Sequence, residues 1–127
     1  MSWDPAASAL VGLLPQTRRG PRREGIFALW LTLRVAQDLM RDPPPSERAH
    51  RRRLQALEHR LSSLTLPPPL RRALTAALQQ LHEPNPETAA QVLSQLVAPA
   101  RESGGPEAGD ALAQAARAAR ALVRTER

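Results

Sequence analysis

The sequence of 127 residues contains no cysteine and no lysine, so all eighteen of its basic residues are arginines. Without cysteine, the chain cannot form disulfides, thiolate zinc sites or cysteine nucleophiles. Without lysine, it has no P-loop lysine, no Schiff-base chemistry and no lysine general base. These classes of site are therefore excluded.

Aromatic residues are scarce as well, at 2% of the chain, although hydrophobic residues as a whole make up 42%. The core must then consist mainly of leucine, valine and alanine, which suits helices better than strands, because strands favour β-branched and aromatic residues. The apolar run from Ile26 ends at Arg34 after eight residues, far short of the roughly 20 that a membrane-spanning helix needs. We therefore expect a cytoplasmic protein without a membrane span.

Thirteen prolines divide the chain into segments, because a proline inside a helix costs about 3 kcal/mol. Between them, apolar residues recur every three to four positions, which is the helical period. The sequence therefore predicts an all-α single domain, a small antiparallel bundle of four to five helices with a tethered short N-terminal helix. The expected parts are an N-terminal helix (1–14), a mobile arginine-rich linker (15–24), the bundle core (25–98), a hinge (99–109) and a C-terminal alanine- and arginine-rich helix (110–127).

Two polar residues are predicted to cap helices. Ser46 follows the proline run that ends the central helix. Asn85 precedes a proline and an acidic residue, a combination typical of a helix N-terminus.

The C-terminal helix is expected to pack lightly against the bundle. Its only large apolar residues are Leu112, Leu122 and Val123. The glycine-rich stretch before it, RESGGPEAG, favours a flexible joint.

The most apolar stretch, Ile26 to Met40, forms the central helix of the predicted bundle. At about 100° per residue, one half of its circumference is apolar and faces the core. The other half carries Phe27, Trp30 and Leu31 near its start and polar residues further on. Three large apolar side chains exposed together would form a patch that monomers usually avoid, so they require a cover. The core half consists of Ala28, Leu29, Leu33, Val35, Ala36, Leu39 and Met40.

Two covers are available for this patch, and both hold at once if the N-terminal helix is exchanged between two copies of the chain. The N-terminal helix can fold back, so that Trp3 meets Phe27 and Trp30. Alternatively, a second chain covers the patch, either another protein or a copy in a homo-oligomer, because aromatic anchors with arginine are typical of interface hot spots. We therefore predict a non-enzymatic protein-interaction or assembly subunit, with Trp3, Phe27, Trp30, Leu31 and Arg34 as its partner-binding residues.

Four arginines near the C-terminus form a ridge on one side of the last helix. Their spacings of three, four and three residues place them within an arc of roughly 80°. Together with the net charge of +6, the ridge suggests an alternative function, a nucleic-acid-associated protein that binds phosphates. A solvated outer face is the simpler interpretation, because the opposite face is apolar. The ridge consists of Arg117, Arg120, Arg124 and Arg127.

Five arginines lie on the helix that is predicted to follow Ser46. They point in several directions around this helix, which favours a role in solubility. They are Arg48, Arg51, Arg52, Arg53 and Arg60.

Residues that carry catalytic or metal chemistry are not grouped in the sequence. His50, His59 and His82 lack the spacing of metal ligands, and no GxSxG motif is present. His50 lies on the leucine-rich side of the helix that follows Ser46, so we expect its side chain to be hydrogen-bonded and partly buried. We predict no catalytic, cofactor-binding or metal-binding residue, no cofactor and no enzymatic activity, and no small-molecule substrate is evident. An enzyme whose histidines and acidic residues converge in three dimensions is the residual alternative.

Overall fold

A computed structural model describes residues 4–125, and all regular secondary structure within this range is α-helical. The all-α prediction is confirmed. None of the described helices is both long and apolar enough to cross a lipid bilayer. The helices are α1 (Asp4–Leu13), α2 (Pro21–Leu39), α3 (Glu47–Ser62), α4 (Pro68–Leu81), α5 (Pro86–Gly104) and α6 (Pro106–Thr125).

Prolines and polar caps set the helix starts. Four of the helices, α2, α4, α5 and α6, begin at a proline. Proline is tolerated at this position because a backbone N–H there would have no acceptor within the helix. The Ser46 hydroxyl accepts the Ala49 N–H at 3.1 Å before α3. The Asn85 side-chain oxygen accepts the Thr88 N–H at 2.8 Å before α5. Both predicted caps are therefore confirmed.

Asn85→Ala is expected to lower the free energy of unfolding by about 1 kcal/mol, because a first-turn N–H of α5 loses its acceptor. Gln91→Ala, an exposed position on the same helix, is the matched control and should change stability by no more than about 0.5 kcal/mol. Urea denaturation measures both values. Equal stability of the two variants would contradict a stabilising cap at Asn85.

The central helix α2 contacts all five other described helices. Its predicted core half is confirmed, since six of the seven residues are at most 8% exposed and the seventh, Met40, is half-buried. Ile26 and Thr32 are buried as well, and the Thr32 hydroxyl donates to the Ala28 carbonyl at 2.8 Å. The core therefore encloses about half of the circumference of α2 and leaves the other side at the surface.

The short helix α1 packs against α2 and α6. Ala6 and Leu10 are the buried residues of its inner face. Residues 21–24, predicted as part of a mobile linker, belong to the first turn of α2. The Arg22 guanidinium in this turn donates to the Gly104 carbonyl at 3.3 Å, so the start of α2 is tied to the end of α5.

The stretch predicted as a hinge, 99–109, is helical except at Gly105, which alone separates α5 from α6. Gly105 has a φ of 96°, a left-handed conformation that glycine adopts without steric cost. Gly104 and Gly109 permit close packing instead. A Cβ on Gly104 would lie 2.9 Å from the nearest Cβ of α6, and one on Gly109 would lie 2.6 Å from the Arg101 Cβ. These two glycines therefore serve close contact between the helices.

The prediction that the C-terminal helix packs lightly is wrong. The contact between α5 and α6 is the most extensive of any pair of described helices, and α6 also contacts α1 and α2. Alanine provides this packing, because its small side chain allows two helices to approach closely along their length. The residues of α6 that are at most 4% exposed are Ala108, Ala111, Leu112, Ala115, Ala116, Ala118 and Ala119.

Candidate protein-binding groove between α2 and α3

A groove runs between α2 and α3, along the side of α2 that does not face the core. Near the start of α2, Phe27 lies under the guanidinium of Arg60, with 5.3 Å between the guanidinium carbon and the ring centroid. Near the end of α2, the Asp38 carboxylate pairs with Arg53 at 3.2 Å. The two helices therefore run in opposite directions. The groove follows α2 from residue 27 to residue 38, about 16 Å at 1.5 Å per residue.

The floor of the groove is apolar. The rings of Phe27 and Trp30 stack with their centroids 6.0 Å apart and their planes at 22°. Leu31, Val35 and Leu57 continue the apolar lining. The three large apolar residues of the predicted patch are thus brought together; all three are partly buried, and Trp30 and Leu31 pack against the core.

Arginine side chains supply part of the cover that the sequence analysis required. The guanidinium carbon of Arg34 lies 5.3 Å from the Trp30 ring centroid, and Arg60 covers Phe27 in the same way. Both arginines are exposed. Each guanidinium can therefore stack on a ring through one face and meet a partner through its N–H groups.

One residue near the end of the N-terminal helix lies beside the aromatic patch. Leu14, just after α1, lines a second depression together with Phe27. Trp3, the predicted anchor, lies outside the described residues. Its contact with Phe27 and Trp30 therefore stays a prediction.

Asp38 lines the groove and Glu24 lines the depression beyond Phe27, and each carboxylate has a partner within the chain. Asp38 pairs with Arg53 at 3.2 Å and with Arg41 at 3.5 Å. Glu24 accepts the backbone N–H of Thr65 at 3.2 Å. The charge of Asp38 is therefore shared by Arg53 and Arg41, neither of which covers an aromatic ring.

Four arginines around the aromatic pair form no ion pair with a carboxylate in the part of the chain that the structure describes. Two lie over the rings within the groove, and two line its continuation beyond Phe27. The surface around the aromatic pair is therefore positively charged. The four are Arg19, Arg23, Arg34 and Arg60.

Sequence reasoning missed three charged residues of the groove: Asp38, Arg53 and Arg60. It interpreted the two arginines as solubilising residues of α3. Arg53 and Arg60 are seven residues, or two helical turns, apart. This spacing places them on the same side of α3, next to the buried Leu57. This spacing marks them as the rim of an apolar face.

The predicted arginine ridge lies on α6, where Arg117, Arg120 and Arg124 are exposed. Arg120 donates to the Ser94 hydroxyl of α5. Arg124 lines a shallow depression together with Glu87. Arg127 lies outside the described residues. The ridge is thus partly engaged by its own chain, which weakens it as a phosphate site.

His50 belongs to the core of the molecule. It is 2% exposed, more deeply buried than expected, and its Nε2 lies 2.6 Å from the Leu81 carbonyl oxygen. Its Nδ1 is buried and has no hydrogen-bond partner among residues 4–125. His82 lies at the surface, 3.4 Å from the Glu58 carboxylate. Within residues 4–125, no three histidine or acidic side chains are grouped to hold a metal ion.

The α2–α3 groove combines an apolar floor with guanidinium groups that lack acidic partners in the described chain. Such a surface can accept apolar side chains on its floor and anionic groups at its rim. When the chain is compared with protein-family models, curated proteins and solved structures, no match is found.

Proposed function

We propose that the protein is a non-enzymatic interaction or assembly subunit that binds another protein through the α2–α3 groove. The main support for this proposal is the stacked pair of Phe27 and Trp30, whose rings are partly exposed beneath guanidinium groups. Aromatic and arginine side chains contribute most of the binding energy at many protein interfaces. The proposed binding residues are Phe27, Trp30, Leu31 and Arg34, to which the groove geometry adds Arg60.

The half-buried state of the floor favours binding in two ways. Stacking and the overlying arginines restrict the rings before a partner arrives, so less conformational entropy is lost on association. Each ring also retains exposed apolar surface. Complete burial of such a side chain contributes about 1.5–3 kcal/mol, and no more than about a third of that is still available at each of these partly buried residues.

The rest of the chain serves in this proposal as a scaffold, an antiparallel helical bundle that holds α2 and α3 at a fixed separation. A cytoplasmic location stays a prediction. No catalytic role is assigned to any residue of the groove, since its side chains include no histidine, serine or cysteine to act as base or nucleophile.

Phosphate binding by the α6 ridge is the less supported alternative, because Arg120 is already bonded to Ser94. It predicts nucleic-acid binding that weakens steeply with salt. It also predicts loss of that binding when Arg117, Arg120 and Arg124 are all replaced by glutamine.

Photo-crosslinking in cells that naturally make the protein tests the proposed function. A photoreactive phenylalanine derivative replaces Leu31 on the groove floor, and the same derivative replaces Gln55 on the exposed side of α3 as the matched control. We expect a covalent adduct with a specific protein from position 31, none from position 55, and loss of the adduct when Trp30→Glu is added. Circular dichroism establishes that each variant is folded.

Three results of this experiment contradict the proposal. Adducts at position 31 that match those at position 55 would show that the groove binds no specific partner. An adduct that survives Trp30→Glu in a folded protein would show that the aromatic floor does not contribute. An adduct with nucleic acid, lost on substitution of the α6 arginines, would favour the alternative.

A further inference from the structure

The shape of the α2–α3 groove favours a helical occupant. It lies between two antiparallel helices and extends for about 16 Å, which corresponds to about three turns of a third helix. An extended segment would gain nothing from backbone pairing there, because the N–H and C=O groups of α2 and α3 are bonded within the helices. Apolar side chains spaced three, four and seven residues apart on a helix would instead follow the floor from Phe27 to Val35.

The charge of the groove favours an acidic occupant. Arg34 and Arg60 lie on opposite sides of the floor, one on α2 and one on α3, and neither has an acidic partner among the described residues. Arg19 and Arg23 extend the positive surface beyond Phe27. A guanidinium that rests on an aromatic ring is partly shielded from water and already oriented, so a carboxylate would pair with it at a reduced cost in entropy.

A second copy of this chain fits the same surface poorly. In a symmetric dimer the identical groove would face itself, which would bring the rim arginines of both copies together. The chain carries a net charge of +6, and the Asp38 carboxylate that lines the groove already pairs with Arg53 and Arg41. Like charges placed opposite each other at an interface are unfavourable.

Single-stranded nucleic acid is also a poor fit. Binding of bases by stacking requires accessible ring faces. Here Phe27 and Trp30 stack on each other, and Arg60 and Arg34 occupy further ring surface. A base would have to displace these arginines, whereas an acidic helix would use them where they lie.

We infer that the partner segment bound in the α2–α3 groove is an amphipathic α-helix of about three turns, with Asp or Glu on both flanks of its apolar face. This inference rests on the proposed function and specifies the chemistry of the partner. The apolar face contacts Phe27, Trp30 and Leu31. The acidic flanks pair with Arg34 on one side and Arg60 on the other.

A displayed library of random peptides of about 14 residues, about four helical turns, tests the inference. The library is selected on the full-length protein and counter-selected on the folded Trp30→Glu variant, so that only groove-dependent sequences are retained. We expect these sequences to place apolar residues at helical spacing and to be enriched in Asp and Glu on both sides of them. In titrations of the full-length protein followed by the fluorescence anisotropy of a dye-labelled peptide, a Glu→Gln version of a selected peptide should bind about tenfold more weakly.

The charge contribution is assigned by a pair of double variants. Arg34→Gln with Arg60→Gln should remove the difference between the Glu and Gln peptides. Arg48→Gln with Arg52→Gln removes the same charge from exposed positions outside the groove and should preserve that difference. If both double variants changed the affinity difference between the Glu and Gln peptides by the same amount, that difference would depend only on net charge. This result would overturn the inference.

The selection separates failure of the inference from failure of the proposed function. Groove-dependent sequences that are neutral or basic, or that lack helical periodicity, would overturn the acidic helix and leave the groove as a binding site. Selection of no groove-dependent sequence at all would overturn both. Displacement of the selected peptide by a single-stranded oligonucleotide would assign the groove to nucleic acid instead.

Discussion

Leu29→Ala is expected to lower the free energy of unfolding by about 2–5 kcal/mol, the range found when a buried leucine is truncated in a close-packed core. Leu29 is 0% exposed and lies on the core half of α2, the helix that contacts all the other described helices. The truncation would therefore remove contacts at the centre of the molecule, where the surroundings can collapse only partly. Chemical denaturation with a two-state fit measures the change.

Leu31→Ala is the matched control, because it makes the same chemical change on the same helix but on the side of the groove. Leu31 is only partly buried, so the expected loss is smaller than that at Leu29. Affinity for a groove-bound peptide should respond in the opposite order, with a loss for Leu31→Ala and none for folded Leu29→Ala. Equal destabilisation by the two substitutions would contradict the division of α2 into a core side and a groove side.

This division of α2 was predictable from the sequence, because it depends on the order of residues around a single helix. Leu29 and Leu33 fall on the core side and Trp30 and Arg34 on the other side at about 100° per residue. The caps Ser46 and Asn85 were predictable for the same reason, since each acts on a backbone N–H three residues ahead.

The opposite wall of the groove was not predictable in this way. Arg60 covers Phe27 and Arg53 meets Asp38 only because α3 lies antiparallel to α2 at one particular offset along the helix axis. The sequence of α3 indicates which residues share a side, but not which residues of α2 they face. The aromatic patch was therefore identified from the sequence, whereas its arginine cover required the relative position of two helices.

Small residues explain the errors at the C-terminal end. Pro99 and the glycines of 99–109 have low helix propensity, which favoured a hinge. The structure has helix there because Ala100, Gly104 and Ala108 are fully packed. Tertiary packing outweighs local propensity at this turn, and Gly105 supplies the one conformation that other residues rarely adopt.

Ala115→Leu is expected to lower the free energy of unfolding by about 1–3 kcal/mol, because added carbon atoms cannot be accommodated in a close-packed core without displacing neighbours. Ala115 is 0% exposed and lies on α6, which packs against both α5 and α1. Gln114→Leu places the same side chain on the adjacent, exposed position and should alter stability by no more than about 0.5 kcal/mol. Since leucine and alanine both favour helix, a large difference between the two variants would have to come from packing. Equal urea midpoints for Ala115→Leu and the unaltered protein would instead mean that α6 lies loosely on the bundle.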